Sequence, residues 1–379
     1  FFEQEFYDVA QVEVLRGPQG TLYGRNATAG VVNLTSAKPT DQFEAMASGE
    51  LGNYGQRRFE GMINLPIVDD RFDVRLAGEW TKRQGYSFND TTQQRIDGRD
   101  LWSGRLSIGW KPTEKLQAYF IWEHFSEDDD RIRSSKQLCK TDPIPTELGG
   151  VPISSLDFEG NGAGSGQGAG GIYSQGTGGL SQGCAPASLY SPDSYGVVNG
   201  YPLPYVLALN GDVTLSNPKV DPYASVTQSH NLHVIQSELE PDYKAKNDTI
   251  EFNADYNIAP ALTFTSQTGY NNDFLWSAED YNRFNTSPGI FKYSPSSDGL
   301  AGNQRNQISP DGVYCDPQLG CSNKLLAEDL STEHSWQFSQ EFRLASHFSG
   351  PLNFSIGGNF LHYETEENYY VFFNSLTLF

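Results

Sequence analysis

The chain has 379 residues, with 26 Lys+Arg against 47 Asp+Glu and a formal net charge of −21. That sign excludes a general nucleic-acid binder, which needs a basic stripe for the phosphate backbone. The longest apolar runs are about five residues, such as Tyr369 to Phe373, so no helix is set to span a bilayer. A transmembrane β-barrel stays open, because its strands show only every second side chain to lipid.

Residues 9–39 come first. Val12, Val14 and Leu15 make a short apolar strand that stops at the breaker pair Gly17-Pro18. Gly17, Gly20, Gly24 and Gly30 suit a compact loop with positive φ and close backbone approach. Val31-Val32-Asn33-Leu34 reads as a second short strand.

Nine strands with period-two alternation follow, at 43–53, 57–67, 71–83, 99–111, 115–126, 248–259, 261–275, 333–346 and 352–365. Phe72, Val74, Leu76 and Trp80 share one face of the third, against Asp73, Arg75 and Glu79. Trp102, Leu106, Ile108 and Trp110 oppose Ser103, Arg105 and Ser107 in the next. Phe252 and Phe338 continue the apolar face, and Glu251 and Glu341 the polar one. Many strands reach about ten residues, enough to cross a bilayer at a tilt. Short turns near 68–70, 112–114, 259–260 and 347–350 alternate with long connections at 85–98, 127–247 and 276–332. The expectation is an all-β membrane protein, an antiparallel transmembrane barrel with the apolar face toward lipid. Arg75, Glu79, Arg105, Glu251 and Glu341 are then expected to face the lumen.

The long connections carry four cysteines, Cys139, Cys184, Cys315 and Cys321, with no CxxC pair and no histidine at zinc-finger spacing. Loop disulfides in an oxidising compartment fit better than a metal site. The nearest-neighbour pairing, Cys139–Cys184 and Cys315–Cys321, is preferred among the three connectivities. Residues 160–183 hold 11 Gly in 24 positions, too entropic a segment to order itself. Gly166 to Gly171 spells a dinucleotide fingerprint there, but without a preceding strand or following helix it is a chance match.

No HExxH or P-loop occurs, and the GxSxG spelling at Gly179 to Gly183 falls in the Gly-rich tract without the strand and helix of a nucleophile elbow, so neither an enzyme nor a cofactor site is expected. His230 and His233 read as solvated loop histidines, and Glu127 to Asp130 as a solvated strand exit without EF-hand spacing. Tyr190, Tyr195, Tyr201, Tyr205 and Tyr223 leave two readings open, ligand contact or packing within a disulfide-bound loop. Between Cys139 and Asn247, ten Asp/Glu face four Lys/Arg, a field that disfavours small anions at the mouth.

Residues 9–39 closely resemble the end of the plug domain of TonB-dependent outer-membrane receptors. Glu13, Arg16-Gly17-Pro18, Tyr23-Gly24 and Gly30-Val31-Val32-Asn33 match the family pattern, with Ala29 where glycine is commoner. Gln340-Glu341-Phe342-Arg343-Leu344 is similar to a recurrent barrel strand of the family. The resemblance implies a 22-stranded barrel in the outer membrane of a Gram-negative cell, with residues 1–40 as plug and 41–379 as barrel. The chain, starting Phe1-Phe2-Glu3 without an initiator Met, reads as part of a longer protein.

The implied activity is transport of a scarce nutrient, a siderophore–iron complex or similar, driven by a TonB-type energy-coupling protein that engages the region before Phe1. Cobalamin, oligosaccharides and plant-derived aromatics stay open as ligands. Family plugs pair arginines with wall glutamates, so Arg16 is expected to latch onto Glu341, with Glu251 in reserve and a partner beyond Phe379 as the third alternative. The competing readings are a passive porin or adhesion barrel, which has no plug motif, and a secreted β-rich glycan-binding protein, which needs no detergent.

Overall fold

The computed structural model describes residues 6–20, 27–142, 146–152, 183–198, 223, 226–281, 284–291, 309–374 and 376. Two strands, β1 (Val9–Arg16) and β2 (Gly30–Ser36), form a separate antiparallel pair. Nine strands then form one sheet: β3 (Glu44–Leu51), β4 (Arg57–Val68), β5 (Phe72–Arg83), β6 (Arg99–Thr113), β7 (Leu116–Asp129), β8 (Asp242–Ala259), β9 (Leu262–Asp280), β10 (Ala327–Ser346) and β11 (Ser355–Phe373). Each pairs antiparallel with its neighbour in sequence, an up-and-down wall with no crossover. No helix of the described residues is long and apolar enough to cross a membrane.

Alternation locks the register. Ile63, Leu76, Leu106, Trp122, Ile250, Tyr270 and Phe338 are successive cross-strand partners, one row over seven strands. The row one residue away begins Asn64, Arg75 and Ser107 and lies on the opposite face. A one-residue slip would exchange the two rows. Burial runs opposite to that of a soluble sheet: Leu76 is 45% exposed and Arg75 is 5% exposed. Apolar side chains on the outer face and enclosed charge on the inner one are what lipid outside and a polar lumen inside require.

Aromatic pairs bound the apolar band. Trp80 is opposite Trp102 near one end, and Phe72 is opposite Trp110 near the other. From Trp102 to Trp110 the strand rises about 26 Å at about 3.3 Å per residue, close to the apolar height of such walls.

The nine strands lie where alternation puts them, but several run further at the long-loop end. β8 starts at Asp242, β9 ends at Asp280, β10 starts at Ala327 and β11 ends at Phe373. The added ladder pairs Asp280 with Glu328 and Glu279 with Asp329. Nothing apolar is needed above the membrane band, so these ends pair without the pattern that marks the rest. Short turns at 69–71, 114–115, 260–261 and 347–354 join the other end. Asp70, at φ 57°, makes the first of them.

Candidate functional site

The site lies where the amino-terminal hairpin meets the inner face of the wall. β1 and β2 pair from Val9 opposite Ser36 to Arg16 opposite Gly30. Glu13 lies opposite Asn33, whose Nδ2 donates to Glu13 Oε2 at 2.9 Å, so two motif residues form one cross-strand pair. Gly17, at φ +85°, turns the chain out of β1 ahead of Pro18, and its N–H donates to Ala29 O at 3.0 Å. A Cβ at Gly30 would fall 2.6 Å from Leu15 O, which restricts that position to glycine. Tyr23 and Gly24 lie outside the described residues.

The base of the hairpin is fastened twice. Arg75 Nη2 is 2.5 Å from Asp8 Oδ1, and its Nε donates to Asp8 Oδ2 at 2.8 Å. Arg75 Nη1 reaches Glu44 Oε2 at 3.0 Å. Arg105 donates to Tyr7 O at 3.1 Å and Asp8 O at 3.3 Å, pairs with Glu123 at 2.7 Å and lies 4.6 Å from the centre of the Tyr7 ring. Tyr7 is 1% exposed, and burial raises its phenol well above the usual range, helped by the Glu123 charge. The second fastening holds the exit. Asn64, wholly buried, donates to Thr40 O at 2.8 Å and Gln42 O at 2.6 Å and accepts from Thr40 N at 3.1 Å.

This fastening lies elsewhere than the expected latch. Arg16 is exposed at the tip of β1, and no ion pair joins it to Glu341 or Glu251 among the described residues. The wall touches the base of the hairpin, and Arg16 stands seven residues away from Val9 at its other end. Glu251 and Glu341 instead border an open polar recess on the wall, with Asn253, Gln267 and Gln340. In this fastening the wall supplies the arginines and the hairpin base the carboxylate. Arg75 and Arg105 stood out in the sequence as cations on the polar face; Asp8, in an unpatterned stretch, did not.

No protein-family model matches the chain. Among curated proteins it is 32% identical over 106 residues to the pesticin receptor of Yersinia pestis, covering 28% of this chain and 15% of that protein. It is 36% identical over 84 residues to the catecholate siderophore receptor Fiu of Escherichia coli K12, covering 22% and 11%. The matches thus span under a fifth of these relatives. Among solved structures, the siderophore receptor PiuA of Acinetobacter baumannii superposes over 96% of this chain and 36% of its own, with a TM-score of 0.51 at 12% identity. This chain has the fold of the TonB-dependent outer-membrane receptors.

In this TonB-dependent receptor fold the long connections all leave the same end of the wall. Cys139 and Cys184 are joined, with Cα atoms 5.1 Å apart, and Cys315 and Cys321 close a small hairpin, with Cα atoms 3.8 Å apart. Cys139, Tyr223 and Phe284 form a buried cluster, in which Tyr223 is 1% exposed. Tyr195 stacks on His230 at 4.7 Å, and Lys136 lies 5.8 Å from its ring. Lys136 also donates to the carbonyls of Ser229, Asn231 and Val234, and burial lowers its ammonium below the usual range. Tyr190 is 91% exposed. Tyr201 and Tyr205 lie outside the described residues.

The acidic exit of β7 is divided. Asp129 accepts from Asp100 N at 3.0 Å, Asp130 from Gly98 N at 2.5 Å, and Glu127 from Arg131 at 3.4 Å. Among the described residues no three His, Cys, Asp or Glu are grouped to hold a metal.

Proposed function

We propose that this protein is a TonB-dependent transporter of the outer membrane that imports a scarce iron–siderophore complex. Residues 9–36 act in this reading as the last two strands of the plug, and the wall belongs to a 22-stranded barrel. The observation that carries the reading is the Arg-Gly-Pro hairpin held by Asp8 against Arg75, on the polar face of a wall whose other face is apolar. A passive porin has no use for a fastened hairpin in its lumen, and a soluble glycan binder would not leave Leu76, Trp102, Trp122 and Phe252 open to water.

The loops capture the ligand, with Tyr190 as one contact. The disulfides hold the capture surface in shape, and no bond of the ligand is made or broken. Partial withdrawal of the hairpin by the energy-coupling protein then opens the path along Glu251 and Glu341. Likeness to the siderophore receptors Fiu and PiuA supports the siderophore class. The test is uptake of radioiron-labelled siderophores in an iron-starved receptor-deletion strain carrying the full-length protein. Uptake is expected with the coupling protein present and not without it. Uptake of small solutes that ignores the coupling protein would establish the porin reading instead.

A further inference from the structure

We propose that the lipid face of the wall, at its long-loop end, binds the phosphate of an anionic lipid headgroup through Arg57 and Lys82. The two are direct cross-strand partners on β4 and β5. Like charges set opposite each other destabilise a sheet, so the pair calls for an anion. Lys82 has part of one, with Nζ 2.5 Å from Asp100 Oδ2. Arg57 is exposed and has no carboxylate partner among the described residues; its neighbour on the other side is Leu51, 78% exposed.

The height of the pair identifies the occupant. One step toward the membrane, Phe59 and Trp80 stack with ring centroids 5.9 Å apart, at the upper rim of the apolar band. Cations just beyond an aromatic rim lie at headgroup level. The recess beside Lys82 is mixed in charge, with Arg83, Arg95 and Arg99 alongside Asp100 and Asp128 to Asp130, so Arg57 is the cation of the pair that still lacks a carboxylate among the described residues. A guanidinium fork matches a phosphate in two-toothed fashion, and the adjacent ammonium adds a point charge. By alternation Arg57 and Lys82 share the outer face with Phe59 and Trp80, so the anion that reaches them comes with a lipid whose chains lie along those rings. The inference rests on the barrel reading and not on the transported ligand.

The full-length protein in phosphatidylcholine nanodiscs doped with phosphatidylglycerol provides the test, with retained lipid counted by native mass spectrometry. Wild type is expected to retain phosphatidylglycerol in preference. Arg57→Gln with Lys82→Gln is expected to reduce that preference about fivefold or more, Arg57→Lys to keep most of it, and the loop control Lys140→Gln to leave it unchanged. Unchanged retention by the double variant overturns the proposal. Displacement of the lipid by inorganic phosphate at matched concentration overturns it too, since that marks a site for a soluble anion. Insertion of every variant into the disc keeps the barrel reading separate from either outcome.

Discussion

Arg75 and Asp8 meet through two parallel contacts, Nη2 to Oδ1 at 2.5 Å and Nε to Oδ2 at 2.8 Å, with both side chains 6% exposed. Two buried charges tolerate the loss of their water only while each has the other. Asp8→Asn leaves the guanidinium facing Glu44 alone, at a local cost of about 3–5 kcal/mol. Hydrogen exchange at residues 6–16 is expected to quicken, with wall amides unchanged. Asp8→Leu with Arg75→Met, which removes both charges, is expected to lose less than the single changes sum to. Additive losses would mean that the two residues are not coupled.

Orientation of the wall is checked by neighbours in one strand. Spin labels at Phe252 and Glu251 are expected to differ in kind, the first broadened by oxygen dissolved in lipid, the second by a water-soluble nickel chelate. The reverse result would turn the sheet inside out, because every other assignment follows from the same alternation.

The Cys139–Cys184 bridge spans 45 residues and the Cys315–Cys321 bridge 6. In the chain-entropy model the first is worth about 4 kcal/mol and the second about 2 kcal/mol. Reduction is therefore expected to quicken exchange most at 136–142 and 183–198, with a smaller effect at 314–322 and none in the wall. An equal response at both loops would remove the entropic explanation.

Acid should loosen the same loop by a second route. Lys140 Nζ lies 2.8 Å from Asp193 Oδ2 and, with Ser191, holds that carboxyl below its usual range. A depressed carboxylate value contributes stability above the unfolded value, near 4, and loses it as pH falls through the folded value. Exchange at 191–195 is expected to rise on acidification through that window, and Lys140→Gln to flatten the profile. The pair is fully exposed, so the effect is local and weakened by salt.

The wall was legible because lipid enforces it: Leu76 beside Arg75, and Phe252 beside Glu251, follow from period two alone. Where lipid stops, so does the signal, and the ladder from Asp242 to Asn247 reads in sequence as a polar loop. The fastening was half legible. Arg75 and Arg105 are cations on the enclosed face and demand partners, but nothing in Tyr7-Asp8 marks them as those partners, since the contact depends on where the hairpin lies. The Arg-Gly-Pro motif drew attention to Arg16, at the end of the strand away from this fastening. Tyr223 was ambiguous for a similar reason: a loop tyrosine is buried only once Cys139 and Phe284 close over it.

The two fastenings also set how the hairpin yields to force. Asp8 and the Thr40–Gln42 segment are held at the same end of β1 and β2, where Ala37 N donates to Asp8 O at 3.0 Å and Val9 faces Ser36. Tension on the chain ahead of Tyr7, with the exit clamped by Asn64, first strains the Arg105 contacts to Tyr7 and the Asp8–Arg75 pair. It then opens the ladder one rung at a time toward Gly17, as a zip rather than a sheared bundle. Unzipping concentrates load on single hydrogen bonds, so once these contacts part the remaining rungs follow at low tension. The mechanical threshold of the hairpin thus resides in the Arg75 and Arg105 contacts at its base, not in the sheet behind it.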